Sequence, residues 1–296
     1  MVTPRKYATA GAFRVALETR LLERSRRDGV DLQRLLRQVA FDRLLARMFD
    51  LSLPVRDSWV LKGGYALELR FRKARSTRDL DFTIRTGLEN GEGDHVTALR
   101  EHLQSAALVR LPDYFAFIVG EAMSTLDQAP EGGARFPVEA RLDGRTFVTF
   151  HVDLGLGDEV LDPLEELVGD DWLEFAGIGP SVAMALSAEQ HWAEKLHAYT
   201  LPRSGATNSR VRDLFDLVFL LERRHLSPDR TRTAVRATFE RRRRHSLPAG
   251  LVAPPADWER PFAALAEECG MRETVEGAWR RVHDFYRSLV LARPEA

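Results

Sequence analysis

Cysteine is almost absent: the 296-residue chain has a single one, Cys269. One thiol makes no internal disulfide, and no group of cysteines and histidines has zinc-site spacing. Near the C-terminus, in a helical stretch, Cys269 reads as a core residue rather than a nucleophile. Long apolar runs are missing too. No stretch approaches the roughly 20 residues a membrane-spanning helix needs. The opening MVTPRKYATAGAFR has no apolar signal-peptide core. There is no internal repeat and no low-complexity tail. These absences predict a cytoplasmic protein of a reducing compartment, with no membrane partner. No exposed apolar stripe stands out either, so a monomer is expected.

What is present is ordinary in bulk: 44% hydrophobic and 29% charged residues, enough for a sizeable core. The length suits two domains or one elaborated domain. The net charge of −1 hides a strong asymmetry. His151 to Glu194 holds 11 Asp/Glu and no Lys or Arg, whereas Lys195 to His245 holds 13 Lys/Arg against 5 Asp/Glu, a net of +8. Such a segment either presents a basic face to nucleic acid or is a solvated helical surface paired with the acidic half.

The stretch Trp59 to Ile84, WVLKGGYALELRFRKARSTRDLDFTI, organises the rest. Trp59, Val60 and Leu61 read as a short strand leading into Gly63-Gly64. A helical pattern follows with Ala66, Leu67, Leu69 and Phe71. After a basic turn over Arg72 to Arg78 comes a strand carrying Asp79-Leu80-Asp81-Phe82. Alternate strand residues share a face, so Asp79 and Asp81 point the same way. Paired carboxylates are costly between apolar neighbours such as Leu80 and Phe82 unless a cation offsets their repulsion. About 16 positions upstream, Gly63 and Gly64 open a helix whose amides can meet phosphate oxygens. Together these features predict a divalent-metal and phosphate site for nucleotidyl or phosphoryl transfer.

Upstream, Ala12 to Arg27 reads as an amphipathic helix, and Asp31 caps a second one that Pro54 stops. Both are rich in arginine and are expected to cap the core. Downstream, Thr86 to Asp94 is loop-like and His95 to Ala107 helical. Phe115 to Val119, Phe136 to Leu142 and Thr146 to Leu154 read as strands, the last two joined by the hairpin signal Asp143-Gly144. On the third, Phe150, Val152 and Leu154 share one face, with Thr149, His151 and Asp153 on the other. Asp153 either bonds backbone amides at the strand end or joins Asp79 and Asp81 as a third carboxylate. Beyond Pro163 the pattern turns helical: Ser181 to Thr200, then a polar loop over Pro202 to Ser209. RVRDLFDLVFLLERR comes next, with Asp213 and Asp216 beside an apolar stripe, and then a helix begun by Ser227-Pro228. Helices around Trp258 to Glu268 and Thr274 to Leu291 close the chain. The expected domains are 1–162, the N-terminal helices and core, and 163–296, a helical C-terminal domain.

Leu61-Lys62-Gly63-Gly64, Thr77-Arg78-Asp79-Leu80-Asp81-Phe82, Asp153, Glu194-Lys195 and Arg212-Asp213-Leu214-Phe215-Asp216 occur in that order. This series resembles the AbiEii/AbiGii group of nucleotidyltransferase toxins, which includes the mycobacterial MenT-type toxins. Each block is short, and their conjunction over Trp59 to Leu221 is the specific part. The resemblance implies an α+β fold, a DNA polymerase β-like nucleotidyltransferase core with a mixed sheet plus a helical C-terminal domain. It implies Mg²⁺ as cofactor and an NTP as substrate. Gly63 and Gly64 match the phosphate-cradling glycines, Asp79 and Asp81 the metal-binding carboxylates, Lys195 the lysine on the triphosphate and Asp213 the essential aspartate of the later helix. Asp153 falls where a third carboxylate holds metal or deprotonates the attacking hydroxyl. Where many nucleotidyltransferases have a Ser or Thr after the glycines, this chain has Tyr65. Either its phenol, or Thr77, or Lys62 then meets the phosphates. Thr77 also matches a hydroxyl that similar toxins offer for silencing by phosphorylation, and it equally reads as a turn residue.

By the same resemblance the acceptor is the 3′ end of tRNA, extended so that aminoacylation and translation stop. A cognate antitoxin, AbiEi-like or other, is the implied partner, encoded nearby. Arg236, Arg241, Arg242, Arg243 and Arg244 are the expected RNA contacts, with Arg24 to Arg37 as a second basic set. Asp79 and Asp81 are expected to make half a site that Lys195 and Asp213 complete. The alternatives are transfer to a small molecule or a protein hydroxyl, or a nucleotide-binding regulator without turnover.

Overall fold

The computed structural model describes residues 7–53, 56–71, 73–85, 95–126, 129–202 and 210–291. Pro54, the loop over Thr86 to Asp94 and residues 203–209 of the expected polar loop lie outside the described residues. The chain forms two compact units. The first comprises Met1–Arg70, Ser76–Gly157 and Glu166–Ala185; the second comprises Phe71–Arg75, Asp158–Glu165 and Leu186–Ala296. This division differs from a single cut at Pro163. The segment 166–185 belongs with the sheet, and 71–75 with the helices.

In the first unit, α1 (Ala10–Asp28) is capped by Thr9, whose hydroxyl accepts from the Ala12 amide, and ends at Gly29 with φ 66°. Helix α2 (Leu32–Met48) begins at Asp31, whose carboxylate accepts from the Arg34 amide. Then follow β1 (Trp59–Lys62), α3 (Gly63–Arg70), β2 (Asp79–Ile84) and α4 (His95–Ala107). Strands β3 (Phe115–Val119), β4 (Ser124–Thr125), β5 (Gly133–Leu142), β6 (Arg145–Leu156), β7 (Glu165–Val168) and β8 (Val182–Ala185) complete it. Asp143 and Gly144, with φ 56° and 69°, make the β5–β6 turn, where both central residues need positive φ.

The sheet runs β3-β5-β6-β2-β1-β8-β7, with β4 on β5. It is mixed: β2 pairs antiparallel with β1 and parallel with β6, and β8 is parallel to β1. Strand β5 alternates buried Ala134, Phe136, Val138, Ala140 and Leu142 with less buried partners. These side chains, with Leu80, Phe82, Phe150, Val152 and Leu154, share one core with Phe13, Leu17, Leu35, Val39, Phe41 and Leu103 from α1, α2 and α4. The first two helices are therefore part of the core rather than a cap on it. Three of their arginines are engaged within the unit: Arg20 lies over Phe175, Arg24 over Trp172, and Arg34 pairs with Glu68.

Helix α2 carries a buried charge group. Arg47 forks onto Asp113 at 2.8 and 2.7 Å and donates to Phe115 O. Asp42 bonds Arg43 and accepts from the Ser181 amide and hydroxyl. These bonds tie the helix to segments far along the chain. The segment after Ser181, expected as helix, is strand β8, with Leu61 and Ala185 in register. Its alternation of exposed and buried residues has strand period, and the helix begins only where Ser187 accepts from the Gln190 amide.

The second unit is helical: α5 (Ala188–Thr200), α6 (Val211–Arg223), α7 (Pro228–Arg242), α8 (Glu259–Cys269) and α9 (Val275–Leu291). Ser227 caps α7 and Pro228 occupies its first turn, where a missing N–H costs nothing. Leu196, Leu214, Phe215, Leu217, Val218, Phe262, Val282 and Tyr286 are buried. Cys269 is fully buried.

Candidate active site

Register brings the carboxylates of the first unit together. Asp81 stands opposite Lys62 on β1 and Asp153 on β6, while Asp79 stands opposite His151. On the next strand, Arg135 is opposite Asp153. Asp79, Asp81, Asp153, His151 and Arg135 therefore occupy one face of three adjacent strands, the face opposite the apolar core. The Asp79 carboxylate bonds His151 Nδ1 at 3.1 Å. Arg135 Nε and one Nη meet the two Asp153 oxygens at 2.7 and 2.8 Å, and that Nη lies 3.4 Å from Asp79. Hydrogen bonding to Asp153, against a smaller loss from burial, raises the Arg135 pKa above the usual guanidinium value.

Gly63 begins α3 with φ 67°, a conformation glycine adopts without strain. A Cβ there would also collide with the Asp81 carboxylate. Glycine is thus required twice, by backbone and by contact. The carboxylate fills the space at the helix start, where amides await partners. Further along α3, Glu68 accepts from the Thr77 amide at 2.6 Å and from Gln38 at 2.7 Å, steadying the entry into β2. The Thr77 hydroxyl donates to the Asp79 carbonyl at 3.3 Å. Thr77 lies in the segment that leads into β2.

Tyr65 is a correction. It is 2% exposed, sits edge-on to Phe41 with ring centroids 4.8 Å apart, and directs its hydroxyl to Gln38 O at 3.4 Å. Burial raises its pKa well above the usual phenol value. On the helix its direction is set by the apolar stripe facing α2, so it belongs to the core and not to a phosphate cradle.

The second unit holds a different cluster. Asp216 is fully buried on α6; Arg75 forks onto it at 2.7 and 2.6 Å, and Lys195 Nζ from α5 reaches it at 2.8 Å. Lys195 also bonds Asp213 at 3.2 Å, and Arg210 meets Asp213 at 3.3 Å. Burial alone would push the Asp216 carboxyl up, yet Arg75 and Lys195 hold it well below the carboxylate range. Burial likewise opposes charge on Lys195, but Asp216 and Asp213 outweigh it and leave the ammonium pKa raised. Lys195 and Asp213 are thus neighbours, as their spacing on two helices allowed. Asp216 is the closer anchor.

The expected RNA arginines divide. Arg236, Arg241, Arg243 and Arg244 are exposed on α7 or just after it. Arg242 is another correction: it turns inward to Asp158 at 2.8 Å and Glu194 at 3.0 Å. Burial disfavours its charge, while Glu194 and Asp158 raise its pKa. It is a structural ion pair.

Among the described residues no group of three or more His, Cys, Asp or Glu side chains forms a ready-made metal site. The donor set still fits a hard divalent cation. Asp79 and Asp81 offer oxygens from one strand face, Gly63 leaves room for the Asp81 carboxylate, and such cations commonly take one or two carboxylates plus substrate phosphates. Arg135, Glu68 and Arg75 escaped the sequence reading, and His151 entered it only as a polar neighbour of Asp153. Only His151 and Arg135 carried a signal, their odd polar positions in alternating strands.

The chain thus joins a mixed sheet with an acidic strand face to a helical unit. The chain is similar over 93% of its length, and 98% of the other, to MenT4, a nucleotidyltransferase toxin from Mycobacterium tuberculosis H37Rv, with 19% identity and a TM-score of 0.53. A Helicobacter pylori protein assigned to the nucleotidyltransferases aligns over 83% of the chain and 90% of its own, at 15% identity and a TM-score of 0.39. No curated protein matches the chain. The family model of the nucleotidyl transferase AbiEii toxin, type IV toxin–antitoxin system, matches residues 43–282, and the chain belongs to that family.

Proposed function

We propose that this nucleotidyltransferase toxin transfers nucleotides from an NTP to the 3′ end of tRNA, with Mg²⁺ as the metal, so that the tRNA no longer accepts an amino acid. The observation that carries the reading is the β2–β6 register, which sets Asp81 beside Asp153 with Asp79 on the same face and Gly63 opening a helix against Asp81. Asp79 and Asp81 are the residues that hold the ion. When bound, it neutralises charge on the phosphates and on the leaving pyrophosphate.

The chain's own groups supply the rest. Gly63 and Gly64 offer backbone N–H groups to phosphate oxygens at the start of α3, with Lys62 beside them on β1. His151 holds the Asp79 carboxylate in place through Nδ1. Lys195 serves as a fixed positive charge for the triphosphate, and Asp216 with Asp213 keeps it protonated and oriented. Arg236, Arg241, Arg243 and Arg244 contact the RNA backbone, positioning it without reading sequence. A cognate antitoxin restrains the activity, and the toxin acts as a monomer in the cytoplasm. No helix among the described residues is long and apolar enough to cross a membrane.

Incubation with each radiolabelled NTP, Mg²⁺ and total tRNA tests the reading. Label is expected at the tRNA 3′ end, and Asp81→Asn is expected to abolish it while leaving the fold intact. Label that enters protein or a small molecule instead, or an Asp81→Asn variant that still transfers, overturns the proposal.

A further inference from the structure

Arg135 is the group on the acidic face that neither composition nor motif explains. Its fork holds both oxygens of Asp153, and one nitrogen of that fork also reaches Asp79. Arg135 and Asp153 are direct cross-strand partners in the long β5–β6 ladder, and Asp153 is in turn abreast of Asp81 on β2. Two-metal sites bridge their carboxylates with a second divalent ion a few ångströms from the first. On this face a guanidinium already bridges two of the three carboxylates. Arginine stays charged at any physiological pH and matches a carboxylate in two parallel bonds, so it is a permanent occupant.

We propose that Arg135 stands in for the second divalent cation: the acidic face takes one metal ion, through Asp79 and Asp81, and Asp153 is reserved as the Arg135 counter-ion. This rests on the metal reading of Asp79 and Asp81 and deepens it. Asp153 is then a positioning residue that fixes a positive charge beside the reacting face, rather than a metal ligand or a free base. A second ion would have to displace a bound cation from both Asp153 oxygens and approach within a few ångströms of a like charge, which disfavours it strongly.

Mn²⁺, counted by the loss of its free-ion EPR signal on titration into full-length protein, reads the stoichiometry without any need for turnover. Wild-type protein is expected to take one ion in an Asp81-dependent way, with Asp81→Asn losing it. Arg135→Gln is expected to take two and to bind the first at least tenfold more tightly. Asp153→Asn is expected to keep the single ion with affinity changed by no more than about threefold, because Asp153 is not its ligand. Arg135→Lys, which keeps the charge, is expected to stay at one ion and carries the charge argument if Arg135→Gln does not fold. Two ions in the wild-type protein, or binding lost in Asp153→Asn as completely as in Asp81→Asn, overturns the assignment to Arg135 alone. So does a folded Arg135→Gln variant that binds as wild type does. If no variant and no wild-type protein shows Asp81-dependent Mn²⁺ binding, the metal reading falls, and this inference with it.

Discussion

The two units carry the same ingredients, carboxylates beside cations, and use them differently. On the strand face of the first unit, the side chains of Asp79, Arg135 and His151 keep 30, 35 and 38% of their exposure. In the helical unit, Asp216 has none, Arg75 has 8% and Lys195 15%. Water reaches Asp79 and His151 in the first group, whereas Asp153 keeps 13% and stays gripped by Arg135. The second group is bonded on nearly every side, and a buried charge without its partner is expensive. One cluster therefore lies partly open to solvent and the other is closed. Lys195 owes its orientation to the second kind.

The comparison breaks first at Asp216. Asp216→Asn leaves Arg75 and Lys195 buried against a neutral group and is expected to cost about 3–5 kcal/mol of stability, measured as the shift of the denaturant midpoint. The pH dependence follows from the direction of the shifts. The Asp216 carboxyl is depressed on folding, so its contribution is complete above the unfolded carboxyl value of about 4 and fades as pH falls toward its folded value. Lys195 is raised, so its share is present below about 10.4 and is lost only as pH climbs through the folded value. The gap between wild type and Asp216→Asn should therefore be flat from mildly acidic to mildly alkaline pH and narrow below about pH 4. A gap that stays constant down to pH 2 would show that Asp216 is not the group responsible.

Next in size is Gly63→Ala on the open side. The methyl meets Asp81 and the backbone sits at φ 67°, so a loss of about 1–3 kcal/mol is expected. Transfer activity should fall by more than that loss of folded protein explains, because Asp81 must move. Thermal melts and single-turnover rates on the same sample separate the two.

A smaller effect tests the arginines. Arg242→Gln removes the buried partner of Asp158 and Glu194 and is expected to destabilise by about 1–3 kcal/mol. Arg243→Gln and Arg244→Gln, exposed, should stay within about 0.5 kcal/mol yet weaken tRNA binding and lower its salt slope by about one per arginine. Equal behaviour of the three would erase the distinction. Smallest of all, Tyr65→Phe removes a hydroxyl with one long bond and should leave transfer rate and stability nearly unchanged. A large drop in rate would return the phenol to the phosphate site.

Much was legible in one dimension because its causes are local. Asp31 and Ser227 cap helices with their own side chains. Asp143-Gly144 makes a turn from its own φ preferences, and alternation on β2 and β6 separates Phe82 and Val152 from Asp81 and Asp153. The series from the glycine pair to Asp213 was enough to point to the AbiEii family, to which the chain belongs. Two of the readings that failed share one reason. Strand β8 lacks a local helix or strand signature strong enough to override its small apolar residues, and only a place beside β1 makes it a strand. Arg242 sits in a run of four arginines, identical in sequence terms, and only the helical phase turns it toward Asp158 and Glu194.

By itself, then, the sequence determined which residues alternate, which cap, and which carboxylates share a strand, since each depends on backbone geometry within a few residues. The tertiary structure alone decided that Arg135 grips Asp153 from another strand, that Asp216 rather than Asp213 is the nearest anchor of Lys195, and that Tyr65 belongs to the core. Partnership between distant residues depends on strand register and helix packing, and these are set by burial summed over the whole chain.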